Sequence, residues 1–414
     1  MSKVVIIGAG IGGLTTALSL HAAGMECTVV DRVPRLSPLG VGINLQPHAV
    51  RELTELGLGD DLDAIAVRTA IMVHLDRFGN RIWSKPCGRG AGYNWPQYSI
   101  HRGELQMLLL RAVTQRLGDD AVLTGHALDS FEEETDRVTF TLRNSSDGTT
   151  STLDADVMIG ADGLYSTVRS QLHPGEGAPI GNGIRMWRGI AQWPTFETGA
   201  TMIAAGSNSA TKFVAYPIAP PTDGYSLTNW VAEVRSSDPQ AVADWTMPGR
   251  LSDALPHFEG WDFGWLNVPE LIAASDPILE YPMVDRDPLP YWSTDKVTLV
   301  GDAAHPMYPI ASNGGSQAII DARVLAYRLR TENDTASALR QYEKDRREPT
   351  AAIVEATRNM GQDRILALVA QRAPDGFADV RDVLSEEELA EIEASYRRTT
   401  MYDVDWLNAR ASWD

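Results

Sequence analysis

The run Val4-Val5-Ile6-Ile7-Gly8-Ala9-Gly10-Ile11-Gly12-Gly13 constrains the chain more than any other stretch. A β-branched apolar strand ends at Gly8. Gly8, Gly10 and Gly13 stand in G-x-G-x-x-G spacing, and the Ala- and Leu-rich segment from Leu14 to Ala23 reads as a helix. A second short strand, Thr28 to Val30, ends in an acid, Asp31, about 20 residues on. Strand, glycine turn, helix, strand and acid together form the context that a dinucleotide site requires. Gly8 permits a sharp turn, Gly10 lets backbone approach a pyrophosphate, and Gly13 lets helix and strand pack closely. The helix N-terminus offers free N–H groups and partial positive charge to phosphate. Asp31 would accept hydrogen bonds from a ribose.

With 414 residues the chain exceeds one ordinary core, which predicts two domains. A hydrophobic content of 43% and a charged content of 22% suit a globular protein without a membrane partner, and no apolar run reaches the length of a span. The N-terminus enters a strand directly, with no basic leader. Two cysteines, Cys27 and Cys87, make neither a disulfide framework nor a metal-ligand pattern, which fits a reducing cytoplasm and no metal. A net charge of −19 argues against a nucleic-acid partner.

Further along, Gly40-Val41-Gly42-Ile43-Asn44-Leu45 reads as a loop or short strand where backbone approaches something flat, and Gln46-Pro47-His48 opens a helix. His48 is read as a surface or capping histidine. Ile71 to Leu75 alternates loosely, and Asp76 to Trp83 reads as a turn between two strands. Arg102 begins a helix that runs to Leu117, although a cation there opposes the helix dipole unless an anion faces it. Leu153 to Ile159 reads as one strand ending in Gly160-Ala161-Asp162-Gly163. A glycine-flanked acid at a strand's carboxyl end is where open α/β sheets bind ligands. Residues 180–290 are β-rich, with helices expected from Ala241 to Trp265. Val297 to Val300 leads into Gly301-Asp302-Ala303-Ala304-His305-Pro306 and a helix to about Leu329. A long helix is expected from Leu339 to Ile365, and Ser385-Glu386-Glu387-Glu388 is a capping-box start.

The three signatures Gly8–Gly13, Gly160–Gly163 and Gly301–Pro306, in this order, resemble the FAD-dependent aromatic monooxygenases of the para-hydroxybenzoate hydroxylase fold. Gly40–Pro47, Tyr98–Gln106 and Tyr281–Pro290 are most similar to the phenazine-modifying members. The resemblance implies an α/β fold: a Rossmann-type FAD-binding domain (1–67, 99–179, 291–370), an inserted β-sheet substrate domain (68–98, 180–290) and a C-terminal helical segment (371–414). It implies that Gly8, Gly10 and Gly13 hold the FAD pyrophosphate and Asp31 the adenosine ribose, with Arg32 along the adenosine. Gly42 would lie in the backbone beside the flavin. Arg102 would reach the phosphates or ribityl chain, with Gln106 one turn on, and Leu128 would meet adenine through its backbone. Asp302 would hold ribityl hydroxyls, and Pro309, Asn313 and Gly314 would face the flavin. Asp162 would support FAD and the approach of the nicotinamide cofactor. Where relatives often carry Pro-x-x-Gly-Gln-Gly, this chain reads Pro309-Ile310-Ala311-Ser312-Asn313-Gly314.

The implied chemistry consumes NADH or NADPH and O2 and delivers oxygen from a flavin hydroperoxide to an electron-rich ring, with or without loss of a ring carboxylate. It needs no protein nucleophile and no metal. Trp187, Met202, Tyr216 and Met307 are the candidates for a flat aromatic pocket, and Arg185 or Arg188 for a substrate carboxylate or cofactor phosphate. The partner is a small aromatic molecule, and the protein is a monomer or homodimer. Two other readings stay open from the sequence: a flavin-dependent reductase or dehydrogenase on the same fold, and a non-catalytic FAD-containing binder of aromatic metabolites.

Overall fold

The computed structural model describes residues 3–236, 248–359, 363–391 and 403–413. Its first sheet is parallel and five-stranded, in the spatial order Val297–Leu299, Val157–Gly160, Val4–Ile7, Cys27–Val30, Val122–Leu123. Val4 pairs with both Val157 and Cys27, and Gly160 with Leu299. Every residue of Val4–Ile7 is buried, as a strand covered on both faces must be. The covering helices include Ile11–Ala22, Arg102–Leu117 and Gly314–Thr331.

The expected single strand from Leu153 to Ile159 is two strands in two sheets. Thr150–Ala155 closes a three-stranded antiparallel sheet with His126–Glu133 and Val138–Asn144, whereas Val157–Gly160 enters the parallel sheet. Asp156, at the break, accepts the Lys3 N–H. A continuous apolar run cannot reveal such a change of sheet, because both strands bury the same residue types. A further small sheet joins Gly42–Leu45 and Val67–Thr69 to Gln97–His101.

The remaining sheet has seven strands, in the order Leu279–Asp285, Ile180–Pro194, Tyr225–Arg235, Thr211–Pro217, Thr201–Gly206, Ile71–Leu75, Arg81–Pro86. All neighbours are antiparallel except Thr201–Gly206 and Ile71–Leu75, which run parallel. Strand alternation gives the sheet two working faces. One carries Trp187, Phe213 and Trp230 and packs on Phe258 and Leu271. The other carries Met186, Met202, Tyr216, Val231 and Tyr281 and meets Tyr308 and Ile310 from the nucleotide side.

Of the helices expected over Ala241 to Trp265, residues 241–247 lie outside the described residues. Beyond them stand only Leu251–Ala254 and the 3-10 turn Leu255–Phe258, and the next helix is Val268–Ala273. The expected long helix occupies Thr335–Arg358, followed by Arg364–Arg372. The capping box forms reciprocally: Ser385 Oγ accepts the Glu388 N–H at 3.2 Å, and Glu388 Oε2 accepts the Ser385 N–H at 3.0 Å. The terminal helix Val404–Ala409 docks on Pro47–Glu55, where Arg51 donates to the carbonyls of Leu407 and Arg410 and Ser412 donates to Glu55. No helix among the described residues is long and apolar enough to cross a membrane.

Candidate cofactor and substrate site

The first glycine loop is dictated by sterics. Gly8 has φ +109°, and a Cβ there would stand 2.4 Å from the Ala161 carbonyl oxygen. A Cβ on Gly13 would meet the Gly8 carbonyl oxygen at 1.9 Å. A Cβ on Gly10 would meet nothing within 4 Å, so this glycine keeps open the space ahead of the helix N-terminus. Polar side chains brace the loop. Asp31 accepts the Ala9 N–H at 2.7 Å and the Val33 N–H at 2.9 Å, and Gln106 Nε2 donates to the Ala9 carbonyl at 2.7 Å. Asp31 and Gln106 therefore shape the loop themselves, beyond any contact they make with a ligand. Arg32 is exposed beside Asp31, and Leu128 lies on the edge strand His126–Glu133.

Asp162 sits against Gly8, but its carboxylate caps the helix Thr167–Leu172. It accepts the N–H groups of Thr167 and Val168 at 2.7 and 3.3 Å and the Ser166 hydroxyl. Burial pushes this carboxyl up, and those hydrogen bonds pull it back. Arg102 opens its helix with an exposed side chain that makes no hydrogen bond or ion pair among the described residues and runs along Gly40. His101 Nδ1 caps this helix by accepting from Gly103 and Glu104, which leaves the Arg102 charge for something outside the helix.

The second loop is held from a distance. Asp321, fully buried on the helix Gly314–Thr331, accepts the Gly301 N–H at 2.9 Å, His305 Nε2 at 2.5 Å and Arg346 Nε at 2.7 Å. Burial opposes its charge, but His305, Arg346 and the Gly301 amide outweigh burial and hold the carboxyl down at about 2. Arg169, 1% exposed, donates to the carbonyls of Ala303 and Ala304 and pairs with Glu176. Neither Asp321, Arg346 nor Arg169 carries a local motif that names this role. His48, expected at the surface, is 4% exposed, and burial drives its imidazole down to about 3, so it stays neutral.

This scaffold presents Asp302, Met307, Asn313 and Gly314 together. A Cβ on Gly314 would lie 3.7 Å from Asp302 Oδ1 and 3.8 Å from Met307 Cγ. Asp302 stays open to water although protein encloses it, as a group on the floor of a cleft does. The enclosure raises its pKa, while His305 and Arg102 pull it back. Asn313, 1% exposed, has its Oδ1 buried with no partner, and the helix it precedes has no side-chain cap and no acid in its first turn. Ser312 stands at φ +55°, in the place where relatives often have glycine. A side chain thus occupies left-handed backbone, the conformation that favours glycine. Pro309 is exposed just before the 3-10 turn Ile310–Ser312.

The substrate candidates divide by strand parity. Met202 and Tyr216 lie on the face turned to Tyr308 and Ile310. Trp187 does not: it is fully buried on the opposite face, stacked on His257 and covered by Arg185, so it leaves the pocket set. Arg185 goes with it, paired to Glu280 at 2.8 Å. Met186 and Arg188, one residue to either side of Trp187, lie on the opposite face, the one that meets Tyr308 and Ile310. Gly42, expected beside the flavin, has both backbone groups committed to this sheet. Asn229 Oδ1 accepts its N–H at 2.7 Å, and its carbonyl accepts from Arg188 at 2.5 Å and Tyr216 at 2.9 Å. A cavity of about 390 Å³ between the turns 172–176 and 287–290 includes none of these residues.

The residues fit an FAD: a glycine cradle open where a Cβ would find only space, an acid on a cleft floor, and an unpartnered amide oxygen beside an uncapped helix N-terminus. The family model described as FAD binding domain matches residues 1–245 and 279–357. The chain is 46% identical over 402 residues to phenazine 1,6-dicarboxylic acid hydroxylase PhzS of Lysobacter antibioticus, covering 96% of each. It is 32% identical over 359 residues to 3-hydroxybenzoate 6-hydroxylase 1 of Aquipseudomonas alcaligenes, covering 85% of this chain and 86% of the other. The solved structure of Klebsiella pneumoniae HpxO complexed with FAD and uric acid superposes with a TM-score of 0.72 at 24% identity, covering 98% and 95% of the two chains. The protein belongs to the FAD-dependent aromatic monooxygenases.

Proposed function

We propose that the chain hydroxylates a planar, fused N-heteroaromatic carboxylate of the phenazine class, using NADH or NADPH and O2. The observation that carries this substrate class is the 46% identity over nearly the whole chain to a hydroxylase named for a phenazine dicarboxylic acid. The Met- and Tyr-lined sheet face, with Arg188 on it, agrees with a flat acid. Bound FAD would supply the two-electron redox chemistry and the activation of O2.

The chain's own residues would do the rest. Gly8, Gly10 and Gly13 would seat the pyrophosphate at the N-terminus of Ile11–Ala22, with Asp31 and Arg32 along the adenosine and Leu128 beside adenine. Arg102 would meet the phosphates, and Asp302 would accept from ribityl hydroxyls. Pro309, Asn313 and Gly314 would line the ring. Met186, Met202, Tyr216, Tyr281 and Met307 would exclude water from the reacting carbon and hold the substrate ring flat. Residues 1–67, 99–179 and 291–370 would form the cofactor domain, and 68–98 with 180–290 the substrate domain. Two unpaired cysteines suit a cytoplasmic enzyme.

The test compares NAD(P)H oxidation and product formation with a phenazine carboxylate, a quinoline carboxylate and a hydroxybenzoate, under labelled O2. Label in a fused-ring product is expected. Turnover of hydroxybenzoate alone would overturn the substrate class, and NAD(P)H consumption without label in any product would favour a reductase.

A further inference from the structure

Arg188 is a cation on the sheet face that meets Tyr308 and Ile310, with no anion paired to it among the described residues. It lies on Ile180–Pro194, opposite Val231 of the neighbouring strand and on the face that carries Met186 and Tyr216. Its Nη2 is spent on the Gly42 carbonyl at 2.5 Å, and its guanidinium carbon stands 5.8 Å from the Tyr281 ring centre. Its Nε is buried and has no acceptor, and no carboxylate among the described residues comes within 4.0 Å of it. The acid on this face, Glu233, sits one cross-strand pair away, opposite Met186, and is engaged by Lys212 at 3.5 Å. Lys212 in turn holds Asp363 at 2.8 Å.

Asn229 repeats the pattern on the adjacent strand. It is fully buried; its Oδ1 accepts the Gly42 N–H, and its Nδ2 has no acceptor. Gly42 therefore fixes both side chains from one side, and a Cβ there would lie 2.7 Å from Asn229, so no other residue fits. What remains is a guanidinium N–H and an amide N–H, both unsatisfied, on the same face of one sheet. A buried donor without a partner is costly, and two donors held by one backbone position suit the two oxygens of a carboxylate. Arg185, three residues back and on the other face, does not share this state because Glu280 already satisfies it.

We propose that Arg188, with Asn229, binds the carboxylate of the substrate against the wall formed by Gly42, Tyr216 and Tyr281, and so selects acids over neutral rings. This rests on the aromatic-carboxylate reading above. It sets the ring's orientation: the acid-bearing edge points to Gly42, and the ring plane lies along Tyr281 and Met186.

The test is a titration of FAD-loaded enzyme, followed by the flavin absorbance, with a phenazine carboxylate and with its carboxamide. The wild-type enzyme is expected to prefer the acid. Arg188→Met should weaken the acid about ten- to a hundredfold and leave the amide within about twofold, and Arg188→Lys should recover part of the loss. Asn229→Asp keeps an acceptor for the Gly42 N–H but replaces the spare donor with an oxygen, so it should also weaken the acid alone; it carries the test if Arg188→Met does not fold. Equal loss of acid and amide would overturn the proposal, making Arg188 a brace for Gly42. An acid preference that survives in both variants would overturn it too, with the substrate class intact. If the wild-type enzyme binds neither probe, the substrate class itself falls, and this proposal falls with it.

Discussion

The loops Gly8–Gly13 and Gly301–Gly315 both carry a parallel strand into a helix N-terminus, yet they are held by different physics. In the first, missing side chains do the shaping: added Cβ atoms would collide with backbone at 1.9 and 2.4 Å. In the second, charges do it: Asp321, His305 and Arg346 form a buried cluster, and Arg169 reaches in from another helix. The steric core of the first loop, Gly13 against Gly8, lies within six residues, although Ala161 and Gln106 complete it from further along the chain. A charge-defined loop forms only when distant segments have met. Loss of a glycine should therefore remove binding outright, whereas loss of a distant charge should act through stability.

The largest expected effect is that of Gly13→Ala. Backbone faces the new methyl and cannot yield, so FAD affinity of the refolded protein should fall about a hundredfold or more. Near-normal uptake in a flavin fluorescence titration would erase the contrast between the loops. Next comes Asp321→Asn, which leaves Arg346 buried without its anion and should cost about 3–5 kcal/mol in a urea melt at neutral pH. The sign with pH follows from its low folded pKa of about 2. The stabilisation is present above the ordinary carboxyl value near 4 and is lost as pH falls towards 2, so the wild-type and variant curves should converge across that window. A gap that stays constant down to pH 2 would remove Asp321 as the source.

Asp302→Ala should weaken FAD about ten- to a hundredfold, the value of one or two charge-assisted hydrogen bonds. Its carboxylate meets no donor among the described residues, so the apoprotein melt should shift by no more than about 0.5 kcal/mol. A large shift with unchanged FAD affinity would make Asp302 part of the scaffold. The smallest effect is Ser312→Gly: relief of the left-handed strain, less the entropy of the added glycine, leaves about 0.5 kcal/mol of gain. A loss of stability would mean that the Ser312 side chain holds the loop.

The first loop, its helix and the acid at Asp31 were legible because glycine spacing and strand patterning are local. The braces by Gln106 and Asp31 were not, since a sequence does not show which loop amide a side chain reaches. Trp187 was misplaced by one step of strand alternation. A tryptophan in a β-rich segment marks a face, but only the paired strands decide which face is inside. Met186 and Arg188 could have been read as its opposites. The tie from Gly42 to Asn229 spans 187 residues and has no local signature. Asp321 and Arg346 look in sequence like ordinary charges on helices, and only their burial tells them apart from solvated ones.

The parallel sheet has one more consequence, for synthesis. Val4–Ile7 pairs early with Cys27–Val30, but its other edge waits for Val157–Gly160, and that strand for Val297–Leu299; the second edge of Ile71–Leu75 waits for Thr201–Gly206. A ribosome that has delivered the nucleotide fingerprint has delivered one pair, Val4–Ile7 with Cys27–Val30, and not the sheet that buries it. The sheet gains its last strand, Val297–Leu299, only after more than two thirds of the polypeptide has emerged, and such long-range parallel pairing is slow and leaves the edge at Val157–Gly160 exposed. Arrest or truncation before the last strand should yield chaperone-bound or aggregated polypeptide, and no nucleotide-binding fragment.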